Sequence, residues 1–212
     1  MQNTSILYGA IRPDLLKNET LGEIFSASAQ RFPNKVALTF NDETYTYAEL
    51  ELWSNQIAAY LQSQQVAAGD FVGLWWPRST ALHAAVIGIT KSGATYVPLD
   101  YDMPNERVSL VLKEAGAKLC FAEQALNSGL AIHSVPRLNR DNQFPKSIVK
   151  PATLNNYAYV LYTSGSTGLP KGIAISQKNI CHFIRSENEI LQIESTDRVY
   201  QGFSVSVDMW CE

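Results

Sequence analysis

The hydrophobic pattern of this 212-residue chain alternates between two periods. Short runs with period two predict strands, and longer stretches with helical spacing predict helices. The predicted strands cover residues 36–40, 45–47, 71–76, 95–99, 118–122, 157–162, 172–176 and 199–207. The predicted helices cover residues 21–32, 47–64, 80–91, 104–115 and 177–191. This alternation predicts an α/β fold with a mainly parallel sheet and flanking helices.

Local capping signals support several of these helices. Thr20 and Thr46 are each followed three residues later by Glu, which is the capping-box pattern. Ser79 is the predicted N-cap of the next helix, whose apolar residues lie on nearly all sides, so we expect it to pack on more than one side. Residues 123–156 are the least regular part, and we expect short pieces over the sheet edge there.

The stretch with the most chemical information is 157–172, which reads Y-A-Y-V-L-Y-T-S-G-S-T-G-L-P-K-G. Its first half suits a strand buried on both faces. Its second half is a loop in which glycines let backbone N–H groups turn inward around an anion, while hydroxyls and Lys171 add donors and positive charge. A Ser/Gly linker is the alternative, but a linker does not account for the apolar strand before it. We predict a phosphate site formed by Thr163, Ser164, Gly165, Ser166, Thr167, Gly168 and Lys171.

The loop matches neither the Walker A pattern nor the dinucleotide fingerprint. The string Y-T-S-G-S-T-G-x-P-K-G instead resembles the phosphate loop of the adenylate-forming superfamily, in the form typical of nonribosomal peptide synthetase adenylation domains. Residues 44–50 and 91–100 are similar to two further motifs of that family, although Tyr101 stands where proline is usual. Both read as scaffold, and we assign them no chemistry.

The resemblance implies an enzyme that uses ATP and Mg²⁺ to activate an amino acid as aminoacyl-AMP, with release of pyrophosphate. The activated amino acid would then pass to a phosphopantetheine thiol on a carrier-protein domain. The likeness runs from about Thr20 to the end and covers only the first part of the family's domain. We therefore expect residues 1–212 to be a partial N-terminal subdomain that is nearly inactive without the C-terminal part and its lid lysine.

The family's amine-binding aspartate has two candidate registers here, at Phe203-Ser204 or at Val207-Asp208. Spacing from Lys171 and the strand alternation favour Asp208, with Val207 and Trp210 as departures from the family pattern; an ordinary helix-capping role is the alternative. In the same register Met209 and Glu212 would face the side-chain pocket, and a buried acid there suits a basic amino acid such as lysine or ornithine.

Two other functions stay open at this point. An acyl- or aryl-CoA ligase would share the phosphate loop but activate a carboxylate that lacks an amine. A truncated remnant or interaction module would keep the scaffold without catalysis.

Composition narrows the partners. The formal charge of −3 is spread along the chain and leaves no basic stripe for nucleic acid. Three well-separated cysteines without metal-ligand spacing predict reduced, mostly buried thiols and no zinc site. The first residues lack a signal-peptide pattern, and no apolar run is long enough to span a membrane, so we expect a cytoplasmic segment with no membrane partner.

Overall fold

The computed structural model describes residues 11–126, 129–141, 152–164 and 170–206. A short 3-10 turn at Pro13–Leu15 comes first. The helices are α1 (Leu21–Arg31), α2 (Tyr47–Ser63), α3 (Thr80–Ser92), α4 (Asn105–Ala115) and α5 (Gln177–Leu191). The strands are β1 (Val36–Phe40), β2 (Glu43–Thr46), β3 (Phe71–Trp75), β4 (Thr95–Pro98), β5 (Leu119–Ala122), β6 (Ala131–His133), β7 (Tyr157–Ser164) and β8 (Pro170–Ser176).

The main sheet has six strands in the order β6-β5-β3-β4-β7-β8. The first five run parallel to their neighbours, and β8 pairs antiparallel with β7. Strands β1 and β2 form a separate antiparallel hairpin. The predicted α/β architecture is therefore confirmed, and the irregular region contributes the short edge strand β6, which the sequence pattern did not predict.

Two apolar layers cover the main sheet. On one face α1, α2, α3 and α5 share a core that includes Ile57, Leu74 and Ile89. On the other face α4 packs Val108 and Leu112 on the sheet. Helix α3 contacts α1, α2, β3 and β4, which confirms its packing on several sides. Gly88 permits the close approach of α2, because a Cβ there would lie 2.6 Å from Ile57 Cβ.

The local signals at the helix starts are confirmed. Both capping boxes form, at Thr20 with Glu23 and at Thr46 with Glu49. The Ser79 side chain accepts from the backbone N–H of Leu82. Pro104 occupies the N-cap position and not the first helical turn, since α4 begins at Asn105.

The predicted last strand is wrong for residues 199–206, which form no strand; Val207 lies outside the described residues. Alternation alone does not make a strand, because the backbone also needs a neighbouring strand for its hydrogen bonds. Carbonyl groups of this segment are bound instead by the side chain of Arg78.

Cys120 and Cys181 are buried free thiols, as predicted. Burial raises the pKa of Cys120 to about 12 and the pKa of Cys181 to about 11, so both thiols stay protonated at neutral pH. Cys211 lies outside the described residues. In the part of the chain that the structure describes, no helix is both long enough and apolar enough to cross a bilayer.

Candidate active site

A β-hairpin carries both ends of the predicted phosphate loop. Strand β7 enters the loop and β8 leaves it, and their register places Thr163 opposite Lys171. Residues directly opposite in an antiparallel pair project from the same face, so the Thr163 hydroxyl and the Lys171 ammonium belong to one surface. Both side chains are exposed. The hairpin therefore presents a donor and a positive charge side by side.

Gly172 lets the hairpin pack closely on its other face. A Cβ at this position would lie 3.0 Å from both Tyr162 Cζ and Val160 Cγ1. Burial and the nearby charge of Glu114 raise the pKa of Tyr162, so its phenol stays neutral. The side chains on this face support the hairpin and leave the opposite face to Thr163 and Lys171.

The two ends of the loop, at Ser164 and Pro170, lie at the carboxyl edge of the parallel strands, where α/β sheets bind their ligands. Strand β7 is parallel to β4, with Tyr159 beside Tyr96. Asp100 follows β4 by two residues and therefore lies at the same edge. Its backbone carbonyl accepts a hydrogen bond of 3.0 Å from Trp75 Nε1, which ties the end of β4 to the end of β3.

Residues 201–206 cross this edge and contact it through side chains. The Arg78 guanidinium donates to the backbone carbonyls of Gln201, Gly202 and Phe203. The Ser204 hydroxyl donates to Asp100 Oδ2 at 2.8 Å. The carboxyl edge thus holds the chain immediately before residues 207–212.

A cavity of about 480 Å³ lies in the helical layer between α1, α3 and α5. Its lining is mostly apolar, with Phe25, Val86 and Ile184 among the contributors. Among the described residues, its lining includes none of the predicted site residues and no Lys, Arg, Asp or Glu side chain. Adenylation chemistry needs groups that bind phosphate and carboxylate, so we place the candidate site at the carboxyl edge and not in this cavity.

Sequence and structure comparisons identify the family of this chain. The family model described as AMP-binding enzyme matches residues 25–211. This chain belongs to the AMP-binding enzyme family. Delta-poly-L-ornithine synthetase of Acinetobacter baumannii (strain AB307-0294) is 43% identical over 211 residues, which cover 97% of this chain and 16% of that protein.

Two solved structures share the fold of this AMP-binding chain. The nonribosomal peptide synthetase FmoA3 (S1046A) has a TM-score of 0.83 and 26% identity over 92% of this chain and 21% of that chain. The N-terminal subdomain of Klebsiella oxytoca NpsA, in complex with 3-hydroxybenzoyl-AMSN, has a TM-score of 0.68 and 29% identity over 76% of this chain and 42% of that chain. The resemblance to adenylation domains is confirmed. The chain spans only a small part of the curated relatives it matches.

The structure describes the positions of part of the predicted site, whose phosphate-binding role stays a prediction. It brings Thr163 and Lys171 together, and it describes the backbone of Ser164 at the end of β7. The predictions for Gly165, Ser166, Thr167 and Gly168 fall outside the described residues. So do those for Asp208, Met209 and Glu212 in the substrate pocket. These assignments stay predictions.

Arg78 and Asp100 are site-edge residues that sequence reasoning did not single out. Asp100 belongs to a stretch that we read as scaffold, and Arg78 precedes the predicted N-cap Ser79. The available signal was their position, since Asp100 follows β4 by two residues and Arg78 follows β3 by three. Polar residues at the carboxyl ends of parallel strands are the ones expected to meet a ligand or a ligand-binding segment.

Proposed function

We propose that this chain is the N-terminal part of an amino-acid adenylation domain. In the reaction, an oxygen of the amino acid carboxylate forms a bond to the α-phosphorus of ATP. The bond from that phosphorus to its bridging oxygen breaks, and pyrophosphate leaves. The observation that carries the proposal is the hairpin that sets Thr163 beside Lys171 at the carboxyl edge of the sheet.

The chemistry requires two anions to meet, so the site has to neutralise charge and hold both reactants in line. Lys171 supplies a positive charge for the phosphates, and the Thr163 hydroxyl supplies a donor beside it. The N–H groups and hydroxyls of residues 164–168 would complete the cradle. A hydrogen bond to a charged group contributes about 1.5–3 kcal/mol, which is enough for one lysine to change the rate measurably.

Mg²⁺ enters this proposal with the ATP phosphates. The described residues include no group of three or more His, Cys, Asp or Glu side chains that could hold a metal ion. Magnesium is commonly held by substrate phosphates and one or two carboxylates, so a dedicated protein cage is not required. The acceptor in the second step would be the phosphopantetheine thiol of a carrier-protein domain.

Asp208 is the proposed ligand of the substrate ammonium, with Met209 and Glu212 toward the substrate side chain. In a pocket that shields it from water, the Glu212 carboxylate would favour a basic amino acid, because neutral side chains would leave it unpaired. The name of the Acinetobacter relative refers to L-ornithine, and its 43% identity supports the same class of substrate here. We propose L-ornithine or L-lysine as the amino acid.

The test is ATP–pyrophosphate exchange by the full-length polypeptide across a panel of acids. The panel contains L-ornithine, L-lysine, neutral and acidic amino acids, and a benzoic acid. We expect exchange with amino acids and the highest kcat/KM with a basic one. A neutral amino acid that outcompetes both basic ones would contradict the predicted specificity for a basic side chain but not the adenylation activity. Exchange with no member of the panel would overturn the function.

Asp208→Asn separates amino acid activation from activation of an acyl or aryl acid. If Asp208 binds an ammonium group, the substitution should raise the amino acid KM strongly and leave the ATP KM unchanged. If the enzyme is an acyl- or aryl-CoA ligase, the same substitution should have little effect on its preferred acid.

The extent of the domain is a further part of the proposal. We propose that residues 1–212 form only part of the adenylation domain, without its lid. By itself this piece should have almost no exchange activity and only weak affinity for phosphate. Addition of the C-terminal part of the domain in trans should restore exchange. A lack of rescue, together with inactive full-length protein, would instead favour a non-catalytic scaffold.

A further inference from the structure

Residues 199–206 are held at the carboxyl edge by side chains and not by a β-ladder. Val199 and Tyr200 are 68% and 91% exposed, so little apolar packing fixes the start of the segment. Residues 199–206, all of which the structure describes, form no strand. Val205 is buried in the main core, so the position of the segment depends on this apolar contact and on the polar contacts that follow.

Arg78 provides the first of these contacts. One guanidinium nitrogen donates to the backbone carbonyl of Gln201 and, at 2.7 Å, to Gln201 Oε1. The other donates to the carbonyls of Gly202 and Phe203. A planar guanidinium with five N–H donors can bind successive carbonyls in this way, whereas a lysine ammonium has no fixed fork. Arg78 itself is exposed and lies in the short connection between β3 and α3.

Asp100 provides the second set of contacts. Its Oδ2 accepts from the Ser204 hydroxyl at 2.8 Å. The Ser204 hydroxyl oxygen also accepts from the backbone N–H of Ser206 at 3.3 Å, and the two serine hydroxyls lie 3.0 Å apart. The carboxylate is itself oriented, since its Oδ1 accepts from the backbone N–H of Asp102 at 3.4 Å. The segment is therefore tied at both of its halves to the ends of adjacent parallel strands.

We propose that Arg78 and Asp100 are positioning residues for the amino acid substrate. They fix residues 201–206, and the chain runs from Ser206 directly into the segment that carries Asp208. This inference rests on the proposed function, in which Asp208 binds the substrate ammonium. A misplacement of about 1 Å in a binding site can lower catalytic efficiency by about 100-fold, so loss of the anchoring should weaken use of the amino acid.

The test uses the full-length polypeptide with Arg78→Ala and Asp100→Ala. We expect each to raise the amino acid KM by about tenfold or more in pyrophosphate exchange, with the ATP KM changed less than about twofold. Asp100→Asn keeps an oxygen that can accept from Ser204, so it should retain most of the activity that Asp100→Ala loses. Arg78→Lys keeps the charge without the planar fork and should recover little.

The matched control is Arg140→Ala. Arg140 is another surface arginine, and its side chain is 61% exposed. Its guanidinium forms an ion pair of 2.9 Å with Glu49 Oε1 on α2. It should leave both KM values unchanged. A double-mutant cycle of Asp100→Ala with Ser204→Ala should be clearly non-additive, because the two residues share one hydrogen bond.

Amide hydrogen exchange separates this inference from the proposed function. Arg78→Ala should raise the exchange rates of residues 201–206 by about tenfold relative to Arg140→Ala, whether or not the enzyme is active. Unchanged rates would overturn the anchoring. Faster rates with an unchanged amino acid KM would overturn the link to the substrate. If the wild-type protein shows no amino-acid-dependent pyrophosphate exchange, the proposed function is overturned. The positioning role then falls with it, even if hydrogen exchange confirms that Arg78 anchors the segment.

Discussion

Lys91 Nζ lies 2.5 Å from Glu51 Oε2 in the interface between α3 and α2. The same ammonium donates to Asn55 Oδ1 at 2.9 Å and lies 5.3 Å from the centre of the Phe25 ring. The Lys91 side chain is 3% exposed, whereas that of Glu51 is 26% exposed. The positive partner is therefore the one that depends on the pair.

This asymmetry predicts unequal costs for the two truncations. Glu51→Ala leaves a buried ammonium without its carboxylate and should lower the free energy of unfolding by about 3 kcal/mol. Lys91→Met replaces the lysine by an apolar side chain and leaves a carboxylate that water can still reach, so it should cost less. Urea unfolding of both variants measures the difference. A larger loss of unfolding free energy for Lys91→Met than for Glu51→Ala would contradict the conclusion that Lys91 is the partner that depends on the pair.

His83 predicts a pH dependence of stability. Burial, aided by the charge of Arg78, lowers its pKa from the ordinary 6.5, although its Nδ1 lies 3.0 Å from the Ser79 carbonyl, whose contact raises it. The unfolded chain binds a proton near pH 6.5 that the folded protein does not bind. The stability due to neutral His83 is thus fully present above pH 6.5 and is lost as the pH falls through the folded-state pKa. His83→Gln should flatten this acid limb in thermal unfolding.

Gly88 predicts a packing limit between α2 and α3. A Cβ there would lie 2.6 Å from both Ile57 Cβ and Ile57 Cγ2, and 3.0 Å from the Ser54 carbonyl oxygen. Gly88→Ala should destabilise the protein by about 1–3 kcal/mol despite the better helix propensity of alanine. The double variant Gly88→Ala/Ile57→Ala should not recover the stability that Gly88→Ala loses. Ile57→Ala keeps the Cβ at this position, and the Ser54 carbonyl stays in place. Full recovery in chemical denaturation would mean that only the outer Ile57 atoms obstruct the contact.

Lys171 predicts a selective loss of ATP use. Lys171→Ala in the full-length polypeptide should lower kcat/KM for ATP by about 10- to 100-fold in pyrophosphate exchange, the effect of one lost bond to a charged group. Lys178→Ala removes an exposed lysine from the first turn of α5 and serves as the matched control. Equal effects of the two substitutions would show that only the general surface charge matters.

The features predicted correctly from sequence are the ones set by nearby residues. The capping pairs Thr20–Glu23 and Thr46–Glu49 act within one helical turn, so the starts of α1 and α2 could be predicted from the sequence alone. The phosphate loop stays a prediction of the same local kind, because its glycines, hydroxyls and Lys171 lie close together in the sequence.

The features that were missed depend on residues far apart in the chain. Residues 199–206 alternate like a strand, but their carbonyls bind Arg78, more than a hundred positions earlier. No local pattern shows that contact, nor the bond from Ser204 to Asp100.

The direction of β8 was also not specified, although the five residues between Ser164 and Pro170 are too few for a parallel crossover.

The β7–β8 hairpin also has a consequence for the order of folding. Strand β7 meets β8 after only a few residues, whereas its pairing with β4 joins Tyr96 to Tyr159 across a long stretch of chain. Local pairings close with a smaller loss of chain entropy than distant ones and therefore form sooner. Thr163 and Lys171, at the two ends of the loop, can therefore come together before the central sheet is complete. Their pairing does not depend on the slower, long-range pairing of β7 with β4.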